Sequence, residues 1–193
     1  HPNIFSMRFF IFLTLFFIIR KKVYPINFVF LIAFSFFIYS FSYSRTSLFL
    51  SLLLIMVMFI EQYFHVTKYS FIQFLMRISM IFFPLISLFS MVKFNDIAFL
   101  SEVNRLLSER IRLSYEAYEL FGLAFLPRDM RMLIQENNIV IDNLYVSLSL
   151  SNFSFLILFS LISYYFIRFL LREKLYKESI IFFFMILYSV TES

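Results

Sequence analysis

Two stretches of this chain, Val23–Ser44 and Leu144–Ile167, contain no charged residue. A helix needs roughly 20 mainly apolar residues to cross the hydrocarbon of a bilayer, and a helix that is apolar all round must be buried in a core or in lipid. Other runs come close to the same pattern. Phe5–Ile19 is interrupted only by Arg8 and stops at Arg20-Lys21-Lys22; Ser47–Phe64 carries only Glu61; Tyr69–Val92 carries Arg77 and Pro84. A shorter run, Ser179–Thr191, closes the chain. The expected fold is therefore all-α, a polytopic integral membrane helix bundle of about six spans with one large extracytoplasmic loop. Residues 1–92 would hold membrane helices one to four, 93–143 the helical loop, and 144–193 helices five and six, the last cut short.

Composition removes the competing classes. Of 193 residues 62% are hydrophobic and 15% charged, with 32 Phe, whereas soluble domains have about 45–50% apolar and about 25% charged residues. One glycine and four prolines exclude collagen-like and flexible low-complexity chains. Without cysteine there is no disulfide framework and no thiolate ligand or nucleophile, and His1 and His65 alone make no histidine-rich metal centre. Arg8 followed by an apolar run resembles a signal peptide, but the basic triplet follows the run and no small-residue cleavage site appears. The chain opens His1-Pro2 without an initiator methionine, and it is expected to be an excerpt of a longer polypeptide with further spans.

The net charge of +5 would suggest nucleic acid in a soluble protein. Here the basic residues cluster beside apolar runs, the pattern that sets membrane topology, so no nucleic-acid partner is expected. Arg20, Lys21 and Lys22 separate the first two spans, His65 and Lys68 the third and fourth, and Arg168, Arg172, Lys174 and Lys177 the fifth and sixth. The alternate short loop holds only Arg45. Placing the basic loops in the cytoplasm puts Lys93–Asn143, with most of the chain's 12 acidic residues, outside. Structureless loops of that length are uncommon unless functional, so function is expected there.

Within this loop, Ser101–Phe121 reads as one helix closed by Gly122 in the C-terminal capping position. At 100° per residue, Val103, Leu106, Leu107, Ile111, Ser114, Ala117, Tyr118 and Phe121 share one face. Arg105, Glu109, Arg112 and Glu116 share the other, as a solvated ion-pair stripe. Arg110 falls within about 20° of Val103 on the apolar face. An arginine there either snorkels to water or points into a polar cavity, where its planar fork of donors would suit phosphate oxygens. Pro127-Arg128-Asp129 breaks the pattern, and Glu136-Asn137-Asn138 reads as a turn. Asp142 reads either as a helix cap or as a functional carboxylate, and Tyr145 as an ordinary interfacial aromatic or a site residue.

The stretch Asn104-Arg105-Leu106-Leu107-Ser108-Glu109-Arg110-Ile111, then Tyr118 and Gly122, then Asp142-Asn143-Leu144-Tyr145, resembles the Wzy-type bacterial polysaccharide polymerases. Proteins of that family carry an "N-x-L-L-S-x-R" stretch and a later "D-N-x-Y" in a large outer loop. The closing Thr191-Glu192-Ser193 is similar to the family's "T-E-S". The resemblance covers mainly residues 99–193. It departs from the family in the span count, about ten to fourteen there, and in the register of the arginine against the glycine.

The resemblance implies a membrane glycosyltransferase of the bacterial cytoplasmic (inner) membrane that makes O-antigen, capsule or another exopolysaccharide of the cell envelope. It would join oligosaccharide repeat units carried on undecaprenyl pyrophosphate, with polysaccharide export and chain-length proteins as further partners. Its implied catalytic residues are Arg110 on the pyrophosphate and Asp142 or Glu192 as the carboxylate polarising the acceptor hydroxyl. Asn104, Arg105, Asn143 and Tyr145 would contact substrate, and the intramembrane Arg77 is a further candidate. No cofactor and no metal is expected, since the sequence holds no metal-ligand constellation. A polysaccharide flippase or other lipid-carrier transporter is the competing expectation, on Arg8, Arg77 and Pro84 within apolar runs. A glycan ligase would share the architecture.

Overall fold

The apolar runs fold as helices whose ends follow local chemistry. The computed structural model describes residues 2–20, 22–106, 110–130, 141 and 143–191. In chain order the helices are α1 (Pro2–Ile19), α2 (Pro25–Ser42), α3 (Arg45–Phe64), α4 (Ser70–Val92), α5 (Ala98–Leu106), α6 (Arg110–Phe121), α7 (Leu144–Arg172) and α8 (Tyr176–Thr191), with a short 3-10 turn at Val66–Lys68. Four of them, α2, α3, α4 and α7, are long and apolar enough to cross a membrane. Of the about six spans expected, the described residues supply four helices of that character; the apolar part of α1 is Phe5–Ile19 and α8 has 16 residues, both shorter.

The chain divides into two compact units. The first comprises residues 1–77 and 167–188, the second 78–166 and 189–193. In the first, α1, α2 and α3 pack on one another. Pro25 opens α2 at its first turn, where its missing N–H costs nothing. Phe28, Leu31, Ser35 and Ser42 are the buried positions of α2, at the three-, four- and seven-residue spacing of one helix face. Phe28 meets Phe17 of α1 and sets its edge on Phe59 of α3, with ring centroids 5.1 Å apart in the latter pair. Ser6, Ser35, Ser42, Ser47 and Ser51 are buried in the same unit, small residues that let helix backbones approach in a membrane. The outer faces of these helices carry exposed Phe12, Val29, Phe30, Phe36 and Phe37, which suits contact with lipid rather than water.

Polar groups in this unit are committed at helix ends. The Gln62 amide makes two bonds to Val23, accepting from its N–H at 2.8 Å and donating to its carbonyl at 2.9 Å. Buried Glu61 accepts from the Thr67 N–H and hydroxyl at 2.9 and 2.6 Å. A buried carboxylate so satisfied holds the turn after α3 in place.

The second unit is built on a small core of Met91, Ala117, Met130, Val146 and Leu150, with Leu88, Tyr118, Phe121 and Ile141 packed against it. Helix α6 thus lies against the end of α4 and the start of α7. The single helix expected over Ser101–Phe121 is two helices. Asn104 Oδ1 accepts from the Arg112 N–H at 3.0 Å, whereas positions eight apart on one helix are separated by about 12 Å. Gly122 has φ +62 and its N–H reaches the Tyr118 carbonyl at 2.7 Å, the left-handed ending expected of it.

Candidate functional site

The described residues of the motif-like stretches lie in the second unit. Asn104 is buried and caps α6 through Arg112. Arg110 opens α6 and is half-buried, and its carbonyl accepts from the Ser114 hydroxyl at 2.8 Å. Because α5 and α6 are separate, the alignment of Arg110 with Val103 does not hold. Its alignment with Ser114 and Ala117 does, since all three lie on α6, and both of those residues are buried. The guanidinium therefore belongs to the first turn of the seam that α6 makes with α4 and α7. Arg105 is exposed and pairs with Glu102 at 3.1 Å, and Arg112 pairs with Glu116 at 2.7 Å. Such solvated pairs contribute about 0.3–0.5 kcal/mol each. At the α4–α5 turn, exposed Lys93 bonds Asp96 at 2.7 Å, and that carboxylate holds the ammonium above its usual pKa.

At the start of α7, Asn143 Oδ1 accepts from the N–H groups of Tyr145 and Val146 at 2.9 and 3.3 Å. Its amide nitrogen donates to the Ser87 hydroxyl at 3.3 Å. Asn143, rather than Asp142, supplies this capping oxygen. Tyr145 is fully buried within the protein. Its ring lies 6.2 Å from that of Phe159, and its hydroxyl has no hydrogen-bond partner among the described residues. Arg77 lies in the first unit, where its Nε donates to the Gln73 carbonyl at 3.2 Å, turning the side chain back along α4. Asp142 and Glu192 lie outside the described residues, as do Leu107, Ser108, Glu109 and the turn at Glu136-Asn137-Asn138.

Two residues that the sequence reading passed over organise this region. Asn152 leaves helical geometry inside α7, at φ −164 and ψ 91, and its Oδ1 accepts from the Phe155 N–H at 3.1 Å. The break frees the carbonyls of the preceding turn. A strap over residues 123–128 takes them up. The Ala124 N–H donates to the Ser149 carbonyl at 3.2 Å, and the Ala124 carbonyl accepts from the Phe153 N–H. In an unbroken helix, Ser149 and Phe153 would bond each other directly; Ala124 is spliced between them. The Arg128 N–H takes the Ser151 carbonyl at 2.9 Å. Its guanidinium donates to Leu150 at 2.7 Å, to Phe121 at 2.8 Å and to Gly122 at 3.3 Å, all carbonyls, and lies 5.9 Å from the Phe121 ring. Arg128 thus clamps the last turn of α6 to the broken turn of α7. The available signals were the polar cluster Ser149–Asn152–Ser154 inside an uncharged run and a cation just after the C-terminus of a glycine-capped helix.

No family model, no curated protein and no solved structure matches the chain. Among the described residues, no group of three or more His, Asp or Glu side chains could hold a metal ion. The chemistry on offer is cationic and hydrogen-bonding: guanidinium groups, a capping amide and broken-helix backbone beside a membrane-length helix.

Proposed function

We propose that this chain is part of a membrane polysaccharide polymerase that joins undecaprenyl-pyrophosphate-linked repeat units on the outer side of the cytoplasmic membrane. One observation supports the reading: α6, which carries Arg110 and Tyr118, and α7, which follows the second motif-like stretch, pack on one core of Ala117, Val146 and Leu150, with Tyr118 against it. In the proposed reaction the bond from the sugar's anomeric carbon to pyrophosphate breaks. The acceptor hydroxyl oxygen bonds that carbon and gives its proton to a carboxylate, for which Asp142 and Glu192 are the candidates. The lipid pyrophosphate leaves with growing negative charge, which a fixed guanidinium stabilises as it develops. Arg110 is assigned that role, with Asn104, Arg105, Asn143 and Arg77 as candidates for substrate contact.

Replacing Arg110 by Ala in a deletion strain complemented with this protein should cut polymer formation about 100- to 1,000-fold at unchanged protein level. Lysine should substitute poorly because it lacks the planar fork. Normal chain lengths from Arg110→Ala would refute the assignment.

A transporter reading is favoured by the break in α7, since interrupted membrane helices line substrate paths in transporters. The two differ in what a null strain accumulates. Loss of a polymerase leaves single lipid-linked units exposed outside, whereas loss of a flippase traps them inside. Loss of a ligase would instead leave finished polymer on its lipid.

A further inference from the structure

The first unit holds a cavity of about 430 Å³ at the ends of α1 and α3 and the start of α8, lined by none of the residues that the proposed reaction uses. Lysines, an arginine and a histidine line it from three junctions that are separate in sequence: Arg20 and Lys22, then His65, then Lys174 and Lys177. Its apolar lining is Phe17, Val23, Phe28, Met58 and Leu175. Of the acidic groups, Glu61 is spent on Thr67, and Glu178 is the other. Four permanent cations thus face one cavity with two carboxylates, one of them already committed. The Lys177 ammonium donates to the Arg20 carbonyl, which ties the α7–α8 junction to the end of α1. Topology alone needs basic residues in loops; it does not need them gathered around a cavity with an apolar floor.

We propose that this cavity binds the phosphate headgroup of an anionic membrane lipid, the cations taking the phosphate and the apolar lining taking the upper acyl chain. Basic pockets between membrane helices at the cytoplasmic side recognise such headgroups, and the volume lies in the range of ordinary ligand sites. The assignment is independent of the polymerase reading. It requires only that this end of the unit lie at headgroup level.

The test is native mass spectrometry of the purified protein from nanodiscs of phosphatidylglycerol and phosphatidylcholine. Wild type should retain phosphatidylglycerol selectively. Lys22→Ala with Lys174→Gly should weaken retention roughly 30-fold, about 2 kcal/mol for two basic contacts. Glycine suits position 174, whose φ is +59. Lys22→Ala alone, at an exposed position between helices, should give about a fivefold loss on the same scale and keeps the test open if the double variant folds poorly. Lys68→Ala with Arg172→Ala removes equal charge from the junctions after α3 and α7 but not from the lining, and should leave retention unchanged. Equal loss in both pairs, or no selectivity in wild type, would overturn the proposal. Displacement of the lipid by millimolar inorganic phosphate would overturn the lipid as ligand and leave a free-anion site.

Discussion

Arg128 illustrates how a single side chain can look functional and be structural. Its three carbonyl contacts at 2.7–3.3 Å join Phe121, Gly122 and Leu150, and hydrogen bonds to a charged donor contribute about 1.5–3 kcal/mol each where buried. Arg128→Ala is expected to destabilise the second unit by about 3 kcal/mol. Hydrogen exchange should rise at residues 122–128 and 149–155. Lysine should rescue one contact at most. Lost polymerisation with unchanged exchange would instead make Arg128 a substrate ligand. Arg110 stands in contrast. It opens a helix on the side of the buried Ser114 and Ala117, and it is the guanidinium to which the proposed reaction assigns a role.

Among the elements, α7 departs most from its appearance in sequence. Asn152 sits about 12 Å along the helix from Leu144 at 1.5 Å per residue, within membrane depth. Irregular backbone is tolerated there only under protein cover, and the strap over 123–128 provides it. Asn152→Leu should therefore destabilise by about 1 kcal/mol through loss of a helix cap, measured by thermal unfolding in detergent. In a continuous membrane helix the same change would be neutral or stabilising, and that outcome would contradict the break. Helix positions and the Gly122 ending were legible because apolar runs and the one glycine act through local rules. The interruption between α5 and α6 was not, because Asn104 caps Arg112 across a gap that periodicity cannot register. Nor was the break in α7, since one asparagine among serines leaves the apolar run intact. The burial of Tyr145 was not legible either, because it comes from packing, including the contact with the Phe159 ring, and not from local pattern. Two motif-like stretches could be picked out of the sequence; that α6 and α7 pack on one core was visible only in the fold.

At the scale of the molecule, the three basic junctions that sequence assigned to one membrane side do converge, since all of them line one cavity. The chain has no cysteine, which makes sidedness directly measurable. Ser101→Cys should react with an impermeant maleimide in intact cells, and Lys68→Cys only after permeabilisation; the reverse would invert the topology. The splice at Ala124 carries a different consequence. If the strap withdrew, Ser149 and Phe153 could bond each other, so the helix would recover inside itself the contacts it gave up. Docked and withdrawn arrangements would then have similar hydrogen-bond inventories, and packing and the Arg128 clamp would set the balance between them. A ligand that favours one arrangement would thereby move the strap and the long apolar helix together, like a latch whose bolt and socket belong to the same chain.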